Sequence, residues 1–330
     1  MKAKIQELKD SVLKMSDREF NELAIKIFEL QYELNPVYRE FVSNLNSNPD
    51  RISNWEDIPC LPISFFKTQK IVLKGLNLKK KFISSGTTGQ VRSTKYLSET
   101  QFYESLSKEI FEMQFGDLKQ YSIFALLPSY LENNESSLVH MIDHFINISG
   151  SDSGGFYNRD FAKLIEDINE ARKKKGKIIL WGVSFALLDL AEKYKLDLSD
   201  IMVFETGGMK GRKKEITREE LHQIIREKTG AEEIFSEYGM TEMMSQAYSF
   251  GNTKYRMPNT MRIQAMELND PMSSERNGRI GSLNIIDLGN IETCSFIATE
   301  DLGRVYDDGT FEVLGRKDNS EIRGCNLMSA

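Results

Sequence analysis

Three short runs constrain this chain more than anything else in it: YSIFALL from Tyr121, KIILWG from Lys177 and IMVFET from Ile201. Each is nearly all apolar and lacks polar alternation, the mark of a strand covered on both faces. Segments with helical spacing separate them, SSLVHMIDHFI after the first run and SFALLDLAEKY after the second. TREELHQIIREKTG and then the strand-like AEEIFSEYG follow the third. Strands alternating with helices predict an α/β fold, a mostly parallel sheet with helices on both faces.

The flanks read differently. The first sixty residues are helical in pattern, and SDREFNELAIKIFELQYEL opens with Ser16 and Glu19 at capping-box spacing before Asn35-Pro36 breaks it. IPCLPISFFK, with two prolines, reads as an extended connector. Ser98 and Gln101 stand at capping-box spacing ahead of a further helix, as do Thr217 and Glu220, with Gly230 as a C-terminal stop. From about Arg256 short strands alternate with Asn, Asp and Gly turns, a β-rich and barrel-like pattern. The expected organisation is a helical segment over 1–60, an α/β region over 61–255, a β-rich subdomain over 256–316 and a tail over 317–330.

Composition excludes several classes. A net charge of −6 over 330 residues gives the protein as a whole no footprint for nucleic acid. The basic clusters ARKKKGK and MKGRKKE read as solvated faces. Cys60, Cys294 and Cys325 are far apart and form no CxxC pair, so neither a zinc ribbon nor a disulfide framework is indicated. The charged opening is no secretory signal and no apolar run is long enough to span a bilayer, so a cytoplasmic location is expected. His140 and His144 are one helical turn apart, but Met141 rules out HExxH, and an amphipathic helix face is the simpler reading.

The chemistry gathers around FISSGTTGQVRSTKYLS, where Ser84 to Gly89 are all Ser, Thr or Gly. Such a loop is either a flexible connector or a cradle in which glycines let backbone N–H groups converge on an anion and hydroxyls add donors. It lies between a strand-like KFI and an expected helix, and Arg92 and Lys95 could add positive charge. It is not a Walker A loop, because no Gly-Lys-Ser/Thr follows at the required spacing. Four later segments favour the cradle. ETGG (205–208) ends a buried strand, where ligands sit in open α/β sheets. SEYGMTE (236–242) follows another strand, ATEDLGRV offers Asp301, and LGRKDNSEIRG offers Arg316 and Asp318.

In that order, S-S-G-T-T-G, T-G-G, Y-G-M-T-E, T-E-D and G-R-x-D resemble the adenylate-forming superfamily of acyl-CoA ligases and related synthetases. WEDIPCLPISFFK, LLPSYLENNESSLVHM and GRKDNSEIRGCNLM are most similar to the bacterial acyl-protein synthetases (LuxE-like). The resemblance implies the large domain of an adenylate-forming enzyme, with ATP and Mg²⁺ as cofactors and a fatty acid or other carboxylate as substrate. It implies that Ser84, Ser85, Gly86, Thr87, Thr88 and Gly89 hold the β- and γ-phosphates. Gly207 and Gly208 would let adenine lie against the backbone with Tyr238 stacking nearby. Thr241 would contact the α-phosphate, Glu242 the Mg²⁺, and Asp301 the ribose with help from Arg316. Val91-Arg92 stands where the pattern has Pro-Lys, which gives Arg92 the lysine's role.

The sequence stops at Ala330, just past G-R-x-D, so the small C-terminal lid domain of the acyl-CoA ligases is expected to be absent, which counts against CoA as acceptor. The resemblance instead makes Cys325 the acyl acceptor, with Arg323 nearby to favour its thiolate, and leaves Cys60 and Cys294 structural. An acyl reductase or another acyl-acceptor protein is the implied partner. Two alternatives stay open: an acyl- or aryl-CoA ligase without its C-terminal domain, and a non-catalytic nucleotide- or carboxylate-binding protein on the same fold.

Overall fold

The computed structural model describes residues 1–45, 48–85, 91–128, 135–174, 176–207 and 216–317. Helices α1 (Lys2–Lys14), α2 (Phe20–Leu34) and α3 (Pro36–Asn44) form the N-terminal segment. The Ser16–Glu19 box forms as the spacing predicts, with Ser16 N–H and Oγ both donating to Glu19 at 2.8 Å. Asn35 caps α3 by accepting from the Tyr38 N–H, and Pro36 takes the first helical position, where a missing N–H costs nothing. Gln31 on α2 is fully buried because its amide donates to the carbonyls of Asn290 (2.9 Å) and Ile291 (3.2 Å). The N-terminal helices are thereby keyed to a loop more than 250 residues away.

The two-proline connector holds a two-residue strand, β1 (Leu61–Pro62), and one helical turn, α4 (Phe65–Thr68). Strands β2 (Lys80–Ile83) and β3 (Thr94–Leu97) then make an antiparallel hairpin on either side of the hydroxyl-rich loop. A strand, not a helix, therefore follows that loop. Helix α5 (Gln101–Phe115) comes after it, but the expected Ser98–Gln101 capping box does not form. Ser98 gives its N–H (2.8 Å) and its Oγ (2.5 Å) to Glu292 instead. A carboxylate brought in by tertiary packing outcompetes the local cap.

The alternating region follows the expected order. It comprises β4 (Tyr121–Leu126), α6 (Ser137–Ser149), β5 (Gly154–Tyr157), α7 (Phe161–Arg172), β6 (Lys177–Val183), α8 (Ser184–Lys193), β7 (Ile201–Thr206), α9 (Arg218–Thr229) and β8 (Ile234–Tyr238). Thr217 and Glu220 form their capping box, and Gly230 closes α9 with φ 68°. Strand β5, hidden in a Ser/Gly stretch, is the addition at the edge. These five strands are mutually parallel in the order β5-β4-β6-β7-β8. The apolar runs lie at the centre, where Trp181 stacks on Phe204 at 4.6 Å and Phe204 on Phe235 at 5.0 Å. Trp181, fully buried among these rings, is core and not pocket lining.

The C-terminal part supplies β9 (Ala247–Phe250), β10 (Tyr255–Arg256), β11 (Met261–Met266), β12 (Gly281–Asp287), β13 (Phe296–Val305) and β14 (Thr310–Arg316). Among the described residues these strands do not close into the expected barrel. They continue the same sheet as β11-β12-β13-β14-β10-β9-β8, with β1 parallel to β13. Pairing turns from parallel to antiparallel at β8–β9. Among the described residues no helix is long and apolar enough to cross a membrane.

Candidate functional site

A cleft of about 910 Å³ opens beyond the C-terminal ends of β7 and β8. In open α/β sheets this is where ligands gather, because the strand-to-helix loops splay apart there. Strands β13 and β14 form the facing wall, and Ile83, Ser84 and Ser85 of the hairpin border it. At the end of β7, Gly207 turns with φ 79°, a left-handed conformation that favours glycine.

The structure brings Tyr238, Asp301 and Arg316 together from three strands. Tyr238 ends β8, and its hydroxyl donates to Asp301 Oδ2 at 2.7 Å. Asp301 and Arg316 are paired in register across β13 and β14, and Arg316 Nε donates to Oδ1 at 3.1 Å. Burial, and next the Asp301 charge, raise the Tyr238 hydroxyl well above its ordinary value, so it stays a donor. Each Asp301 oxygen keeps a second lone-pair direction, enough to accept from a ligand hydroxyl.

Thr241 and Glu242 sit in the turn after β8, both lining the cleft and both buried. The Glu242 carboxylate has no hydrogen bond or ion pair among the described residues, and its backbone is held from behind. Asn290 Nδ2 donates to the Glu242 carbonyl at 2.9 Å, and Lys95 Nζ approaches the same oxygen at 3.4 Å. Asp287, fully buried, accepts from the N–H groups of Met244 (2.6 Å) and Ser245 (3.0 Å), the Ser245 hydroxyl (2.7 Å) and the Gly289 N–H (3.0 Å). The turn that presents Glu242 is therefore preorganised without using the Glu242 side chain.

Lys95 was expected to offer charge to an anion in the loop; it does not. It is 0 % exposed, turned under the hairpin, and hydrogen-bonded to Asn290 Oδ1. Burial pulls its ammonium down to about 7, against the opposing pull of Asp287, Glu242 and Glu292. Strand β3 thus ties the hairpin to the Glu242 turn. Lys9 of α1 extends the tie by pairing with Glu292 at 2.7 Å.

Two more buried carboxylates line the β7–β8 wall. Glu205 accepts from Ser184 Oγ at 2.6 Å and faces Arg218 (3.5 Å) and His222 (3.8 Å) of α9. Burial alone would raise its carboxyl, but His222, Arg218 and Ser184 bring it down to about 2. Glu237 accepts from Thr206 Oγ1 at 2.5 Å, and burial pushes it up to about 7, with the Glu205 charge adding to the rise.

Of the remaining expected site residues, Ser84 pairs with Ser93 across the hairpin, its N–H donating to the Ser93 carbonyl and its Oγ accepting from the Ser93 N–H, each at 3.0 Å. Arg92 is exposed just ahead of β3 and does not line the cleft among the described residues. Gly86, Thr87, Thr88, Gly89, Gly208, Asp318, Arg323 and Cys325 lie outside the described residues. Cys294 is buried, its thiol pushed up to about 12, and burial also raises Cys60, so neither is a ready nucleophile. His140 bonds Glu104 at 2.8 Å, and among the described residues no group of three acidic, His or Cys side chains is placed to hold a metal.

A family model described as Acyl-protein synthetase, LuxE, matches residues 12–330. The chain belongs to that family. Among curated proteins, none matches its sequence at a significant level. Similar solved structures include O-succinylbenzoate coenzyme A synthetase from Bacillus subtilis in complex with ATP and magnesium ion. It is 17 % identical, with a TM-score of 0.55, over 74 % of this chain and 51 % of that one. They also include 2-hydroxyisobutyryl-CoA ligase with 2-HIB-AMP and CoA, 13 % identical with a TM-score of 0.70, over 94 % of this chain and 71 % of that one. ATP-bound MatB from Rhodopseudomonas palustris is 14 % identical, with a TM-score of 0.53, over 86 % and 58 %. The chain spans about half the length of the first of these. It shares with them the α/β fold of adenylate-forming ligase domains.

Proposed function

We propose that this acyl-protein synthetase family member activates a carboxylic acid with ATP and passes the acyl group to a cysteine and then to a partner protein. The observation that supports this most is the Glu242 turn: a buried carboxylate facing the cleft, unpaired among the described residues, on a backbone fixed by Asp287, Asn290 and Lys95. That donor set fits a hard divalent cation, which takes oxygen ligands. Glu242 would hold Mg²⁺, with Thr241 beside it at the α-phosphate. Magnesium, when bound, would offset the repulsion between an acid anion and a phosphate anion.

The chain's own residues would do the positioning. Tyr238, Asp301 and Arg316 would seat the nucleoside, with Asp301 accepting from ribose hydroxyls. Ser84 to Gly89 would wrap the β- and γ-phosphates, with Gly207 and Gly208 against the adenine and Arg92 adding charge from the hairpin. In the reaction, a carboxylate oxygen bonds to the α-phosphorus as the bond to pyrophosphate breaks. The Cys325 thiolate then bonds to the acyl carbon as the bond to AMP breaks, giving a thioester for an acyl reductase or similar acceptor. The family resemblance implies a fatty acid as the acid; the polar residues of the β7–β8 wall bear on that choice.

Acid-dependent exchange of labelled pyrophosphate into ATP tests the first step. Glu242→Gln should lower exchange by about 100-fold or more, as removal of a transition-state charge partner does. Undiminished exchange would remove Glu242 from the chemistry. For the second step, acyl label that survives denaturation, is released by hydroxylamine and disappears in Cys325→Ala is expected. Label that persists in that variant would refute the cysteine acceptor.

A further inference from the structure

The β7–β8 wall holds polar groups that nucleotide binding leaves unused. Glu237 and Tyr238 are consecutive in β8 and so face opposite sides of the sheet. Tyr238 turns to Asp301, while Glu237 turns to Thr206 at the end of β7. Among the described residues the Thr206 hydroxyl is the only hydrogen-bond partner of the Glu237 carboxylate, and no cation pairs with it. Gln246, 3 % exposed, lines the same cleft. Its Nε2 donates to the Met244 carbonyl at 2.9 Å, and its Oε1 has no partner among the described residues. Gly239 adjoins both: a Cβ there would overlap the Glu237 carboxylate and displace it, while touching Gln246 Cγ at an ordinary 3.5 Å.

A buried acceptor without a donor costs about 1–3 kcal/mol. An alkyl chain laid against this wall would leave Gln246 Oε1 unmet and, among the described residues, the Glu237 carboxylate with the Thr206 hydroxyl alone. A donor on the ligand would satisfy them, and Leu138 and Met141, which also line the cleft, suit the carbon skeleton beside it. We infer that the acid taken by this cleft is not a plain fatty acid but bears a hydrogen-bond donor on its chain, a hydroxyl or an ammonium, held by Glu237 and Gln246. This rests on the acid-activation reading. The raised Glu237 carboxyl fits it, because a neutral-to-anionic acceptor near pH 7 can receive either donor.

The test is pyrophosphate exchange by the full chain with acids of matched length: an alkanoate, its hydroxy derivatives and its amino derivatives. At least one polar member should exceed the alkanoate about 10-fold or more in kcat/KM, the usual worth of one satisfied buried hydrogen bond. Gln246→Leu should shrink that preference with the KM for ATP unchanged. Glu237→Gln separates the two donors: a hydroxy acid should keep most of its rate, an amino acid should lose it. Equal or faster exchange with the alkanoate would overturn the inference and leave acid activation standing, as would a preference untouched in both variants. Exchange with none of the acids would overturn acid activation and this inference with it.

Discussion

Glu205 and Glu237 stand on neighbouring strands, are both buried, line the same cleft, and have opposite electrostatics. Glu205 sits in a corner with Arg218, His222 and the Ser184 hydroxyl, and is held down to about 2. Glu237, one strand over, has a single hydroxyl partner among the described residues and is pushed up to about 7. Burial costs both; only partners differ. The contrast separates a carboxylate that locks the start of α9 to β7 from one whose only bond among the described residues is to the Thr206 hydroxyl.

The contrast can be broken first by removing each group. Glu205→Leu leaves Arg218 and His222 buried without their anion and should cost about 3–5 kcal/mol in urea unfolding, whereas Glu237→Gln should cost under about 1 kcal/mol at pH 6. Equal losses would mean that Glu237 is structural as well.

The slopes against pH sharpen it. The folded Glu205 carboxyl lies below its unfolded value near 4.5, so its contribution is complete above that pH and is lost as pH falls towards 2. The folded Glu237 carboxyl lies above 4.5, so the native state holds its proton longer, and stability is lost as pH rises from 4.5 through about 7. That loss amounts to about 2–3 kcal/mol, and Glu237→Gln should flatten it. A wild-type curve indistinguishable from the variant's across that window would contradict the assignment.

The smallest effect expected is at the rear of the Glu242 turn. Asn290→Ala removes the donor to the Glu242 carbonyl and the acceptor for Lys95, and should cost about 1–2 kcal/mol of stability. Because the lost bond orients Glu242, exchange should fall several-fold even where the variant is fully folded. Unchanged exchange in the folded variant would show that Asn290 serves stability alone.

The residues legible in sequence are those in continuous strings at strand ends. Tyr238, Thr241 and Glu242 come from one such string, and the strands carrying Asp301 and Arg316 could be read from their alternation. Asp287, Asn290 and Glu292 could not be read in the same way. Asn290 meets Lys95 across 195 residues and Glu292 meets Lys9 across 283, and no local pattern encodes such a pairing. Lys95 misled for the same reason: its position after a polar loop suggested a charge for an anion, and packing buried it. Ser98 lost its cap to Glu292 by the same long-range closure.

Apolar runs and helical spacing by themselves set the order of strands and helices and left the polar segments at strand ends, because burial on one or two faces imposes a period along the chain. Tertiary structure alone decided which buried acids are charged, which turn is braced from behind and which acceptors remain unmet. A carboxylate's state depends on the few groups within hydrogen-bonding distance, and folding draws those from every part of the sequence.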